Sequence, residues 1–96
     1  MTQSDVIEIL TAFKKLSAEK YGIVSLGVFG SVARNQINDH SDVDIVLQTQ
    51  IPDPYLIVHI KEDLESLLAH SVDIVRLRKT MNPSLMQRIE QEAIYV

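Results

Sequence analysis

The chain has 96 residues, 46% of them hydrophobic, no cysteine and a formal net charge of −4. That length supports one domain, residues 1–96, with a core that needs no staple, and it is too short for two cores. Without cysteine, disulfides and a cysteine-ligated zinc site are excluded, and the acidic balance argues against direct nucleic-acid binding, which needs a basic face.

No apolar run is long enough to span a bilayer, and no basic-then-apolar leader opens the chain, so the expectation is a cytoplasmic protein without membrane association. Residues 5–20 predict a helix, because Val6, Ile9, Leu10, Phe13 and Leu16 recur at three- and four-residue steps. Ser4 or Asp5 is the candidate cap and Gly22 the stop. Ile23 to Phe29 is a short, nearly continuous apolar run, as expected of an interior strand, and Gly27 within it marks a close backbone approach.

The run stops at Gly30-Ser31. Glycine lets a backbone come close to a phosphate, and a short helix beginning at Ser31 would aim free N–H groups and a hydroxyl at it. Asn35 to Ser41 is polar and loop-like. A second strand, Asp42 to Thr49, follows. Side chains alternate along a strand, so Asp42 and Asp44 point one way while Val43, Ile45 and Leu47 point into the core. Two adjacent carboxylates repel, so one takes up a proton unless a cation compensates them. Magnesium suits such a pair, since phosphate oxygens of a substrate can complete its octahedron.

Ile51-Pro52-Asp53-Pro54 breaks the strand, with Asp53 as N-cap and Pro54 at the first helical position. The helix beyond it carries Leu56, Ile57, Ile60, Leu64, Leu67 and Leu68 on one side. Ser71 to Leu77 is a third strand in which Asp73 is the odd residue. Either it is an edge-strand aspartate facing water, or it is a functional carboxylate. Asn82-Pro83 begins a last helix whose apolar side is Leu85, Met86, Ile89 and Ala93. His59 and His70 read as solvated surface residues, since the three histidines share no face or close spacing. His40, two residues before Asp42, is either solvated or a phosphate contact. Arg34 is either a surface charge or a guanidinium for phosphate oxygens. The element order predicts an α/β (α+β) fold, a small mixed sheet with helices packed mainly on one face.

Gly30-Ser31, ten intervening residues and Asp42-Val43-Asp44 resemble the motif of nucleotidyltransferases of the DNA polymerase beta superfamily. The finer text, Phe29-Gly30-Ser31-Val32-Ala33-Arg34 and Ser41-Asp42-Val43-Asp44-Ile45, is similar to its minimal nucleotidyltransferase (MNT) branch, and the likeness covers nearly the whole chain. Asn35 stands where many members carry glycine. The resemblance implies a polymerase beta-like fold in which Asp42, Asp44 and Asp73 are catalytic and hold two magnesium ions roughly 3.5–4 Å apart. It implies that Gly30, Ser31, Arg34 and Ser41 bind the nucleotide.

The reaction so implied is attack of an acceptor hydroxyl on the alpha-phosphate of ATP. MNT proteins are typically paired with an HEPN-domain toxin, and the resemblance implies an antitoxin that adds AMP to a tyrosine of that ribonuclease. A small-molecule nucleotidyltransferase of the aminoglycoside-modifying type and a non-catalytic binding antitoxin are the alternatives. The complete Asp42, Asp44 and Asp73 set speaks against the latter, and the lack of residues for a substrate-gripping domain speaks against the former.

Overall fold

The elements of the computed structural model, which describes residues 1–38 and 40–96, are helix α1 (Gln3–Tyr21), strands β1 (Ile23–Phe29) and β2 (Val43–Thr49), helix α2 (Pro54–Leu68), strand β3 (Val72–Arg76), helix α3 (Pro83–Glu92) and strand β4 (Ile94–Tyr95). Asp39, within the expected 35–41 loop, lies outside the described residues.

The first helix starts earlier than expected because Thr2, rather than Ser4 or Asp5, caps it. The Thr2 hydroxyl accepts from the Asp5 N–H at 3.2 Å, and the Asp5 carboxylate accepts from the Thr2 N–H at 2.9 Å, a reciprocal capping box. Gly22, left-handed at φ +63°, ends the helix as expected. At the start of α2, Asp53 Oδ1 accepts from the Tyr55 N–H at 2.9 Å, and Pro54 is the first helical residue.

The sheet order is β3-β2-β1-β4. Strand β1 is interior, antiparallel to β2 and to β4, while β2 and β3 run parallel through the crossover of α2. The expected mixed sheet is therefore present. Val43, Ile45 and Leu47 of β2 join Leu26 and Val28 of β1, Val6, Leu10 and Phe13 of α1, and Ile60 and Leu64 of α2 in the larger core. Alternation sends Phe29 and Val46 to the opposite face, where Ile89 of α3 covers them with Leu85 and Val75. Two helices thus lie on one face and the third on the other.

Two leucines of the expected apolar stripes stay outside this core. Leu16 is 83% and Leu67 55% exposed. They sit on the outer shoulder where α1 and α2 meet, along an open groove of about 420 Å³ that also involves Ile9 and Phe13. Strand β4 was not expected. Its two residues pair Tyr95 with Gly27 and Ile94 with Val28, and a Cβ on Gly27 would stand 2.7 Å from the Ile94 carbonyl oxygen. This is the close approach that Gly27 marks.

Ala69 caps α2 in the left-handed region at φ +52°. A Cβ disfavours that conformation, so Ala69→Gly should stabilise the fold by about 1 kcal/mol, read as a higher urea midpoint at unchanged slope.

Candidate active site

The strand register brings the carboxylates together. Phe29 of β1 pairs with Asp44 of β2, and Asp44 pairs with Asp73 of β3. Register partners point to the same face, so Phe29, Asp44 and Asp73 form one row on the α3 side of the sheet. Asp44 is half-buried and Asp73 exposed. Asp73 is an edge-strand aspartate in water, as the first of its two readings has it, and its register places it beside Asp44. Asp42 is exposed and lies just ahead of β2, which begins at Val43 rather than at Asp42.

Gly30 follows Phe29 at φ +70°, and a Cβ there would overlap Asp44 Oδ2. The glycine is required twice, by its left-handed backbone and by the carboxylate against it. The expected short helix from Ser31 is a single turn. The Arg34 N–H donates to the Gly30 carbonyl at 3.0 Å, and the Gln36 N–H to Ser31 and the Asn35 N–H to Val32 close it at 2.8 and 3.0 Å. That last pair is a Schellman closure with Asn35 left-handed at φ +57°. Asparagine tolerates that region better than most residues, which explains how it serves where many MNT members have glycine. The N–H groups of Ser31, Val32 and Ala33 meet no acceptor among the described residues.

Sequence reasoning missed Glu92 and Arg88, both on α3. One Glu92 carboxylate oxygen accepts from the Gly30 N–H at 3.1 Å, and the other accepts from Arg34 Nη1 at 3.0 Å. Arg88, one turn earlier, lies over the Phe29 ring, 5.8 Å from its centroid. Partial burial alone would raise the Glu92 pKa. The Gly30 N–H, the Arg34 hydrogen bond and the charges of Arg34 and Arg88 outweigh it and hold the carboxyl below its usual range. The available signal was spacing: Leu85, Arg88, Ile89 and Glu92 recur at helical steps, so the two charges share the side that packs on the sheet.

At the other edge, the His70 ring contacts the Ser41 carbonyl through Nε2 at 2.7 Å, so His70 is partly buried and not the solvated residue expected. His59 is exposed, as expected. His40 and Ser41 line a polar recess of about 250 Å³ with Asp42, His70 and Ser71. Ser41 therefore lies beside Asp42, while Gly30, Ser31 and Arg34 lie on the Glu92 side of Asp44.

The sequence profile of the family described as Polymerase beta, Nucleotidyltransferase matches residues 11–96. The chain belongs to this family. It is a nucleotidyltransferase of the minimal type expected from its motifs. A Methanocaldococcus jannaschii chain, whose name assigns it provisionally as a protein adenylyltransferase, is 36% identical over 96 residues, covering 99% of this chain and 98% of that one. The protein adenylyltransferase MntA of Thermococcus cleftensis is 34% identical over 97 residues, covering 100% and 97%.

Among solved structures, one described provisionally as a minimal nucleotidyltransferase superposes with a TM-score of 0.82 at 33% identity, covering 98% of this chain and 95% of that one. A toxin–antitoxin with AMP-PNP gives a TM-score of 0.70 at 19% identity, covering 99% and 72%. A tri-AMPylated Shewanella oneidensis HEPN toxin in complex with MNT antitoxin gives 0.60 at 21%, covering 97% and 66%. At those two identities the likeness is one of fold.

In this nucleotidyltransferase the Asp44 pKa is raised. Burial is the largest cause, the Asp73 charge comes next, and Asp42 adds to it, while Arg88 and Arg34 oppose. The stronger repulsion comes from across the sheet, from Asp73, rather than from Asp42 along the strand. Among the described residues no group of three or more His, Cys, Asp or Glu side chains is placed so as to hold a metal ion by itself. The carboxylates of Asp42, Asp44 and Asp73, all oxygen donors whose repulsion Arg88 and Arg34 only partly offset at Asp44, have the donor chemistry of a hard divalent cation whose remaining ligands come from phosphate and water.

The raised pKa has a sign for stability. An acid that holds its proton more tightly when folded makes the fold less stable as pH rises from its ordinary value of 3.8 through the raised one. Without metal, Asp44→Asn should therefore melt above the wild type at pH 7, with the gap closing below the ordinary carboxylate range. Thermal melts between pH 3 and 7 in a chelator check this, and a gap independent of pH contradicts it.

Proposed function

We propose that this nucleotidyltransferase is the antitoxin of a toxin–antitoxin pair, and that in the cytoplasm it moves AMP from ATP to a tyrosine of its HEPN-domain ribonuclease toxin. The observation that carries the reading is the Phe29–Asp44–Asp73 row beside the Gly30 turn, in a chain that aligns end to end with protein adenylyltransferases. The nucleotide and partner follow from the names of relatives: AMP-PNP in a toxin–antitoxin structure, and AMPylation of an HEPN toxin held by an MNT antitoxin.

In this reading Gly30, Ser31 and Arg34 bind the outer phosphates and Ser41 stands at the opposite side of the nucleotide. Asp42 and Asp44 stand at the reacting phosphate end and are the residues that would hold magnesium there. Two magnesium ions, when bound, supply charge neutralisation and a more acidic acceptor hydroxyl. Asp73, exposed at the edge, faces the acceptor and takes the tyrosine proton. The tyrosine oxygen forms a bond to the alpha-phosphorus as the bond to the beta-phosphate oxygen breaks, and pyrophosphate leaves. Catalysis is then mostly positioning and charge compensation.

Intact-mass analysis of the HEPN partner after incubation with this protein, ATP and magnesium tests the reading, and added AMP masses are expected. A partner of unchanged mass, with its ribonuclease activity still suppressed, would return the chain to a binding antitoxin. Asp73→Asn should lose most transfer, on the order of a hundredfold, while keeping triphosphate affinity, since its work is on the acceptor side. Full activity in that variant leaves Asp73 a surface aspartate.

A further inference from the structure

Two of the groups assigned to phosphate already have a ligand within the chain. A single carboxylate, Glu92, receives the Gly30 N–H at 3.1 Å and Arg34 Nη1 at 3.0 Å, one on each oxygen. A backbone N–H and a guanidinium sharing one anion is the pattern by which a terminal phosphate is held. Glu92 is partly buried, its side chain 23% exposed, and its charge is kept ionised by the donors it holds and by Arg88 one turn away. A carboxylate and a phosphate oxygen cannot occupy the same lone donor at hydrogen-bond distance, and two anions side by side repel.

We infer that Glu92 is an internal occupant of the terminal-phosphate subsite and a specificity-determining residue for the nucleotide. It must give up Arg34, Gly30 or both before a triphosphate seats, so the affinity of the site is set by the difference between the incoming phosphate and the resident carboxylate. Asp44 lies against the Cβ position of Gly30 whereas Glu92 takes its N–H, so a ligand that reaches only the acidic row leaves the Glu92 contacts in place and does not meet this competition. The consequence is selective. Ligands with beta- and gamma-phosphates pay the displacement, and AMP does not. The inference rests on the assignment of Gly30 and Arg34 to the nucleotide phosphates.

The test compares binding of AMP-PNP and of AMP, each with magnesium, to the wild type and to Glu92→Gln by calorimetry. Glutamine keeps a neutral acceptor for Gly30 and releases the guanidinium. AMP-PNP should bind about tenfold more tightly to the variant, the scale of one competing charge pair at a half-exposed site, with AMP affinity unchanged. Unchanged or weaker AMP-PNP binding overturns the inference and makes Glu92 a brace for the turn. Equal tightening for both ligands also overturns it, because the effect would then be general electrostatics. Should the variant not fold, carboxyl-carbon NMR of Glu92 in the wild type decides: its resonance should move as AMP-PNP saturates the protein and stay fixed with AMP, and a resonance unmoved by AMP-PNP refutes displacement. Failure of the wild type to transfer AMP to any HEPN partner, with these binding results intact, counts against the toxin reading alone.

Discussion

Asp44→Ala should, on the proposed antitoxin function, abolish AMP transfer, lowering kcat/KM on the order of a thousandfold or more, while the protein stays folded and still binds the toxin proposed as its partner. Asp44 is at the centre of the site: it pairs with Phe29 on one side and Asp73 on the other, and its carboxylate lies against Gly30. Its removal takes away the acid that stands between the phosphate turn and the acceptor edge. The fold should tolerate the change, since the side chain is half-buried and burdened by repulsion from Asp73 and Asp42. The measurements are toxin mass and ribonuclease activity after incubation with ATP and magnesium. If the variant neutralises the toxin as well as wild type does, and neither adds mass, binding is the mechanism and the enzyme plays no part in neutralisation.

Gly30→Ala should cost about 2–4 kcal/mol of stability and most of the activity. A side chain at φ +70° is strained by itself, and here its Cβ would also overlap the Asp44 carboxylate. The two causes separate in a double-mutant cycle by urea unfolding. In the Asp44→Ala background the overlap is gone, so the same Gly30→Ala change should cost only the backbone part, about 1–2 kcal/mol. An equal cost in both backgrounds would show that Gly30 is there for its dihedral angle and that its contact with Asp44 carries no energy.

Local chemistry was legible in the sequence. Asp53-Pro54 and Asn82-Pro83 announce helix starts because a short polar side chain followed by proline satisfies first-turn N–H groups whatever the rest of the fold does. Alternation in β2 places Val43, Ile45 and Leu47 in the core and turns Asp44 out to the other face, since period two is a property of the strand itself. The Gly30-Ser31 to Asp42-Val43-Asp44 spacing indicated the family, which the match over residues 11–96 bears out.

What the sequence could not decide was set by contacts across it. Thr2 displaced Ser4 and Asp5 as cap because its capping box needs Asp5 as a partner inside the first turn, a choice among three polar residues within four positions that have similar propensity. Strand β4 is two residues long and borrows its hydrogen bonds from β1, so no periodicity could reveal it. Leu16 and Leu67 fit their stripes but stand beyond the shoulder where α1 meets α2. By itself the sequence determined the three helices and the first three strands, the caps Gly22, Asp53 and Asn82, the acid pair ahead of and within β2, and the family. Only the tertiary structure decided that Asp73 acts more strongly than Asp42 on the Asp44 charge and that Glu92 holds Gly30 and Arg34. The reason is physical: periodicity and capping act within one turn or one strand, whereas those pairs join residues 29 to 62 positions apart, through parallel strand register and through the packing of α3 on the sheet.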